Sequence, residues 1–196
     1  MSQNILNRIC EPGFDIKSLS TQEKIDLIRF SKGSLVDILE GETIRCDVDL
    51  TGCLGLTHLP DNMRLHGDLI LDECDDLTQI PNDMNLRGCL GLSYCVALTN
   101  LPPKLRVRGY VGLECCINLI SLSDDMYVGN DLYLQDCSSL VCLPKNLRVG
   151  RDMHIAGCES LEEIPKTIKV AGTIYGPKRL ARNLSTRFRY KATLSD

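Results

Sequence analysis

The chain has 196 residues, 43% of them hydrophobic and 24% charged, with a formal net charge of −4, eleven cysteines and no tryptophan. That balance excludes a disordered segment too poor in apolar residues to build a core, and the length excludes more than one domain with small appendages. No run approaches about eighteen uninterrupted apolar residues, so no membrane-spanning helix is expected.

The opening stretch "MSQNILNRIC" has no charged segment followed by an apolar run, so no ordinary secretory signal is expected. Without export, the cysteines read as thiols rather than disulfides, and a reducing cytoplasm is the expected compartment. Residues 1–43 read as an N-terminal helical cap. Ser20 with Glu23 fits a capping box, and Ile25, Leu27, Ile28 and Phe30 supply an apolar stripe. Gly33 is expected to end this helix, and "SLVDILEG" to form a second short helical turn. A first, irregular strand, "TIRCDVDL", follows, with Cys46 where later coils place glycine.

From there one unit recurs. Cys53, Cys74, Cys95, Cys116, Cys137 and Cys158 stand 21 residues apart. Three places after each comes a leucine, Leu56 to Leu161. Three further on come Leu59, Ile80, Leu101, Leu122, Leu143 and Ile164, each followed by proline except at Ser123. The other half of each unit alternates, as in Met84, Leu86, Gly88, Leu90 and Leu92. Period two means extended chain with one face buried, and the central glycine marks a bend or a close backbone approach. That glycine drifts by one place in "YVGNDLYL" and "RVGRDMHI". A unit this short cannot bury its own apolar face, whereas stacked units can, with parallel strands about 4.8 Å apart. In such a stack the cysteines form an inward column facing backbone groups. The prolines keep the return segment extended.

The unit "VDLTGCLGLTHLPDNMRLHGD" resembles a short leucine-rich repeat of the L-x-L-x-x-[N/C]-x-x-L class, with cysteine in the asparagine/cysteine position. Its Leu-Pro pair and short return segment are similar to repeats of bacterial effectors injected into host cells, and to the C-terminal repeats of plant immune receptors. The resemblance covers residues 44–176. It implies a leucine-rich repeat solenoid: a parallel β-sheet with extended or irregular return segments, a helical cap before it and a short cap after it. It also implies a partner-binding concave sheet face, and delivery into a host cell. The ubiquitin-ligase domain of the bacterial members is not carried over, because the last twenty residues contain no cysteine.

Residues 177–196 carry six basic side chains and one acid, so the rest of the chain is more acidic than the whole. Phe188, Tyr190, Ala192 and Leu194 alternate there with Arg187, Arg189 and Lys191, which predicts a closing strand with a basic outer face defended against pairing.

Enzymatic chemistry is thin. His58, His66 and His154 fall in different columns of different coils, no C-x-x-C pair or phosphate loop occurs, and Cys115 and Cys116 are adjacent. No catalytic residue, metal or cofactor is expected. Outward columns are the better place to look. Tyr110, Tyr133, His154 and Tyr175 cluster in neighbouring coils, with Asp131 and Asp152 beside them, while Gly91 and Gly112 leave a dent in the same face. Tyrosine buries much area with few rotors and is enriched at binding hot spots. The expected function is therefore a non-enzymatic scaffold whose concave sheet face binds a protein. The alternative is a nucleic-acid or anionic-surface binder using Arg64, Arg87, Arg106, Arg108, Arg148 and Lys169 together with the basic tail.

Overall fold

The computed structural model describes Arg8, residues 14–82, 84–182, Leu184 and 188–193. It is a parallel β-solenoid of about six turns with few helices. Each coil contributes two strands separated by a bend, each of two residues except the final Thr173–Gly176. Strands at equivalent positions pair in parallel, coil on coil: Leu69 with Leu90, Leu90 with Val111, Val111 with Leu132. One row makes an eight-stranded sheet running from Val48–Asp49 to Arg189–Ala192. The strand before each bend makes a second row. It forms a five-stranded sheet from Asn85–Leu86 to Lys169–Val170, with a separate pair, Thr43–Ile44 and Arg64–Leu65, on the earlier coils. A third side is tied by parallel bridges from Asn100 to Ser121 and from Ser121 to Cys142.

The period-two pattern sends one side chain of each strand inward and the next outward. Val48, Leu69, Leu90, Val111, Leu132, Met153 and Ile174 form one buried column, and Leu77, Leu98, Leu119, Leu140 and Leu161 another. Together they make a single continuous apolar core along the solenoid. The bend needs glycine because the previous coil lies directly against it: a Cβ on Gly88 would meet the Asp68 carboxylate and stand 2.5 Å from the Gly67 carbonyl oxygen. In the two coils where the glycine shifts, a Cβ on Gly129 or Gly150 would meet the backbone carbonyl of Arg108 or Gly129. Strand pairing is nevertheless unbroken there, with Val107 opposite Val128 and Val111 opposite Leu132.

The turn after the second strand explains the cysteines. In every coil the residue before the cysteine is left-handed: Gly52, Glu73, Tyr94, Cys115, Asp136 and Gly157 have φ between 57° and 73°. The cysteine N–H in the coils from Cys53 to Cys137 then returns to the residue three places earlier, just past the strand, as Cys95 to the Leu92 oxygen at 3.2 Å. That oxygen accepts a second hydrogen, the thiol of the next coil: Cys116 Sγ lies 3.0 Å away. Cys74, Cys95, Cys137 and Cys158 repeat this on Leu50, Leu71, Leu113 and Leu134 at 3.0–3.2 Å. Cys53, on the first coil, approaches the Ile28 oxygen of the preceding helix at 3.9 Å. Ser123, at the one position without proline, is buried, and its Oγ accepts the Leu105 N–H at 3.3 Å.

The helix Thr21–Phe30 begins with the expected reciprocal capping of Ser20 and Glu23. Gly33, at φ 83°, donates its N–H to Ile28 at the helix end. Ile25 and Ile28 join the main core, whereas Leu27 packs with Leu19 in a small separate cluster. Phe30 departs from the expected stripe: it is 61% exposed, because two positions beyond Ile28 is roughly 200° around a helix. "SLVDILEG" contains a 3-10 turn at Val36–Leu39. Lys24 is buried against Glu42, with 2.7 Å between Nζ and Oε1.

At the other end, Arg189–Ala192 pairs in parallel with Thr173–Gly176. Arg187 and Leu194 of the expected closing strand lie outside the described residues. Part of the basic tail is engaged within the protein. The Arg179 guanidinium donates to the carbonyls of Leu161, Cys158 and Glu159.

Candidate functional site

The outward column of the eight-stranded sheet places Gly112, Tyr133, His154 and Tyr175 directly opposite one another in successive strands. Tyr133 stacks on His154 with ring centres 4.9 Å apart, and His154 on Tyr175 at 4.7 Å, nearly parallel. Tyr110, from the neighbouring column, meets Tyr133 edge-on at 6.2 Å. Lys191 Nζ lies 5.8 Å from the Tyr175 ring. All four expected aromatic residues therefore form one continuous row. Within it the ring faces are covered by one another, so the row offers ring edges and polar tips to a partner rather than a flat stacking platform. Burial, followed by the charge of Asp131, pushes the Tyr133 phenol pKa up, and burial does the same for Tyr110. Both hydroxyls remain donors at neutral pH.

Asp131 and Asp152 stand beside this row, but their carboxylates are already engaged. Asp131 Oδ1 accepts the Asp152 N–H at 3.0 Å, and Asp152 Oδ1 accepts the Thr173 N–H at 2.7 Å. Asp47 and Asp68 do the same one coil on, for Asp68 and Cys89. These aspartates tie the bends of successive coils together. Asp131 also faces Arg151 at 3.8 Å.

Gly91 and Gly112, where a dent is expected, are buried beneath neighbouring side chains of the same sheet. Asp72 borders Gly91, and Glu114, Ser93 and Tyr110 border Gly112. Asp72 accepts the Ser93 N–H, and the Ser93 hydroxyl donates to Glu114. Burial, reinforced by Glu114, Asp49 and Glu73, raises the Asp72 carboxyl pKa even against that hydrogen bond. The expected dent is therefore closed over, and by acidic side chains. Alternation alone did not reveal it, since Asp72, Ser93 and Glu114 share a column without sharing a side-chain type.

Of the six residues of the alternative strip, Arg64, Arg106, Arg148 and Lys169 lie on the other row of strands, and Arg87 and Arg108 on the bends that follow it. Arg106 pairs with Tyr127, Tyr127 with Arg148, and Arg148 with Lys169. Arg64, Arg87 and Arg108 line a groove of about 640 Å³ together with His66. All six are exposed, so the structure separates the two candidate surfaces onto different sheets.

Among the described residues, no three His, Cys, Asp or Glu side chains are grouped to hold a metal ion. The ten described cysteines are free thiols. His58 sits at the return turn, 3.3 Å from Asp37, in a different column from His66 and His154. Burial raises the Cys89 thiol pKa, the opposite of nucleophile activation. No described helix is long and apolar enough to cross a membrane.

Compared with protein-family models, with curated proteins and with solved structures, the chain finds no match in any of the three. The fold itself places it in a class: a parallel β-solenoid repeat protein with a 21-residue period.

Proposed function

We propose that this chain is a leucine-rich-repeat-type scaffold that binds a protein partner, without catalysis, on the outward face of its eight-stranded sheet. The observation that carries this reading is the row Tyr110, Tyr133, His154 and Tyr175, partly exposed and held by mutual stacking. Side chains ordered in advance lose little conformational freedom on binding, and tyrosine supplies much of the energy at protein interfaces. Asp131 and Asp152 serve this face by fixing the strands that carry the rings. The helix Thr21–Phe30 and the tail act as caps over the terminal coils. The thiol column suits a reducing cytosol, including that of a host cell entered by delivery, as in the effector repeats this unit resembles.

Partner capture by the parent protein, by Tyr133→Ala and by Tyr175→Ala tests the reading, with far-UV circular dichroism to verify that each variant is folded. Both variants should lose captured partner while keeping the parent spectrum. Undiminished capture by both would remove this face from consideration.

A further inference from the structure

The basic strip on the second row of strands has no role in the reading above. Arg64, Arg87, Arg106, Arg108, Arg148 and Lys169 are all exposed, and none has an ion-pair partner among the described residues. The acids of the first sheet are largely engaged. Asp47, Asp68, Asp131 and Asp152 accept backbone N–H groups, and Asp72 and Glu114 hold Ser93. The molecule therefore has one face whose anionic groups are occupied internally and another whose cationic groups are not.

The arrangement of that second face is specific. Outward residues of parallel strands recur once per coil, so Arg106, Tyr127, Arg148 and Lys169 stand in file on consecutive strands. Beside them Arg64, His66, Arg87 and Arg108 converge on the groove of about 640 Å³. From Arg64 to Lys169 the file crosses five coil spacings, roughly 24 Å at about 4.8 Å each. It is two columns wide. Arg106, Tyr127 and Arg148 line a second recess of about 360 Å³ further along the same line. Asp61 and Asp125 line these two recesses, one in each. They leave the guanidinium groups the more numerous charge.

We propose that this file binds the phosphodiester backbone of a single-stranded nucleic acid, independently of base sequence. A guanidinium matches a phosphate with two parallel N–H donors. A narrow straight row suits one flexible backbone, whose phosphates adjust their spacing, better than the two diverging backbones of a duplex. The only aromatic ring in the file, Tyr127, lies under the Arg106 guanidinium at 5.1 Å. One face of that ring is therefore taken, and binding rests on phosphate charge more than on base stacking.

Fluorescence anisotropy of a labelled oligouridylate with the full chain tests this across about 50–200 mM salt, where phosphate contacts weaken most visibly. Affinity should fall linearly with the logarithm of salt concentration, with a slope of about −0.7 for each phosphate engaged. The variant Arg64→Ala/Arg87→Ala/Arg108→Ala should flatten that slope by about two to three and weaken low-salt binding at least about tenfold. Arg106→Gln/Arg148→Gln, at separate positions, should flatten it by about one to two. Tyr133→Ala, on the other sheet, should bind the oligonucleotide like the parent, which keeps this result independent of the protein-binding reading. Unfolding midpoints close to the parent's would establish that the arginine variants are folded. The proposal is overturned by absence of saturable low-salt binding, by folded arginine variants that bind like the parent, or by tighter binding of a polyglutamate peptide than of the oligonucleotide.

Discussion

Cys116 donates its thiol hydrogen to the carbonyl oxygen of Leu92, 3.0 Å away and one coil earlier. That oxygen also receives the Cys95 N–H, so a single carbonyl joins the turn of one coil to the side chain of the next. The side chain must be short, apolar enough to be buried and able to donate, which is the combination a thiol offers.

Replacing Cys116 separates these requirements. Cys116→Ala removes both packing and donor and should destabilise by about 1–3 kcal/mol. Cys116→Ser keeps a donor in place and should cost less. Urea unfolding of the two variants checks the order. An alanine variant as stable as the serine variant would leave the thiol with packing as its only role.

The same column sets an alkaline limit. Burial pushes the Cys74 thiol up to about 11 and those of Cys116 and Cys158 up to about 12, and raises Cys53, Cys95 and Cys137 as well. An unfolded thiol titrates near about 8.5. Below that pH both states hold the proton and this stabilisation is fully present. Above it the unfolded chain releases protons that the folded chain keeps, so stability falls as pH climbs towards about 11–12. The slope reaches up to about 1.4 kcal/mol per pH unit for each thiol. Urea midpoints should decline steeply between about pH 8.5 and 10. A flat profile over that range would contradict the buried thiol column.

Asp152 distinguishes scaffold from surface. Its Oδ1 accepts the Thr173 N–H at 2.7 Å. Asp152→Ala leaves that N–H without its partner and should cost about 1–2 kcal/mol. Asp152→Asn retains an acceptor oxygen and should cost less than half as much. Thermal unfolding of both variants tells them apart. Equal losses would mean that charge, not acceptance of the N–H, is what the position requires.

Leu77 and Pro81 rank the repeat's most conspicuous positions. Leu77 is fully buried, and Leu77→Ala opens a cavity costing about 2–5 kcal/mol. Pro81 is only half-buried and acts chiefly by restricting the unfolded chain, so Pro81→Ala should cost about 1 kcal/mol or less. Chemical denaturation of the two variants gives the comparison, and a larger loss at Pro81 would reverse the expected order.

The spacing of Cys53 to Cys158 and the alternation around Leu69 and Leu90 make the coil and its inward columns legible in the sequence alone. So are the neighbours Tyr110, Tyr133, His154 and Tyr175, because a fixed period turns position into location. What the pattern did not disclose depends on backbone geometry rather than side-chain type. Gly52, Glu73, Tyr94, Cys115, Asp136 and Gly157 share a left-handed turn and little chemistry, so no column of similar residues marks it. Asp131 and Asp152 read as surface charges because nothing in an aspartate's sequence position tells whether a backbone N–H reaches it. Phe30 looked like core because an apolar residue at a helix end carries no sign of which way the last turn faces.

From Val48 to Tyr175 the main ladder matches each residue with the one 21 places on. Such a molecule has a cross-section and a length that are independent of each other. Excising one whole unit, or duplicating it, rejoins valine to leucine and thiol to carbonyl as before, and alters only how tall the tower stands. A cut one residue longer or shorter leaves the pairing at the join out of register by one place, which turns the inward side chain there to the outside. The protein can therefore grow or shrink only in whole storeys, and each storey added lengthens both rows of strands together.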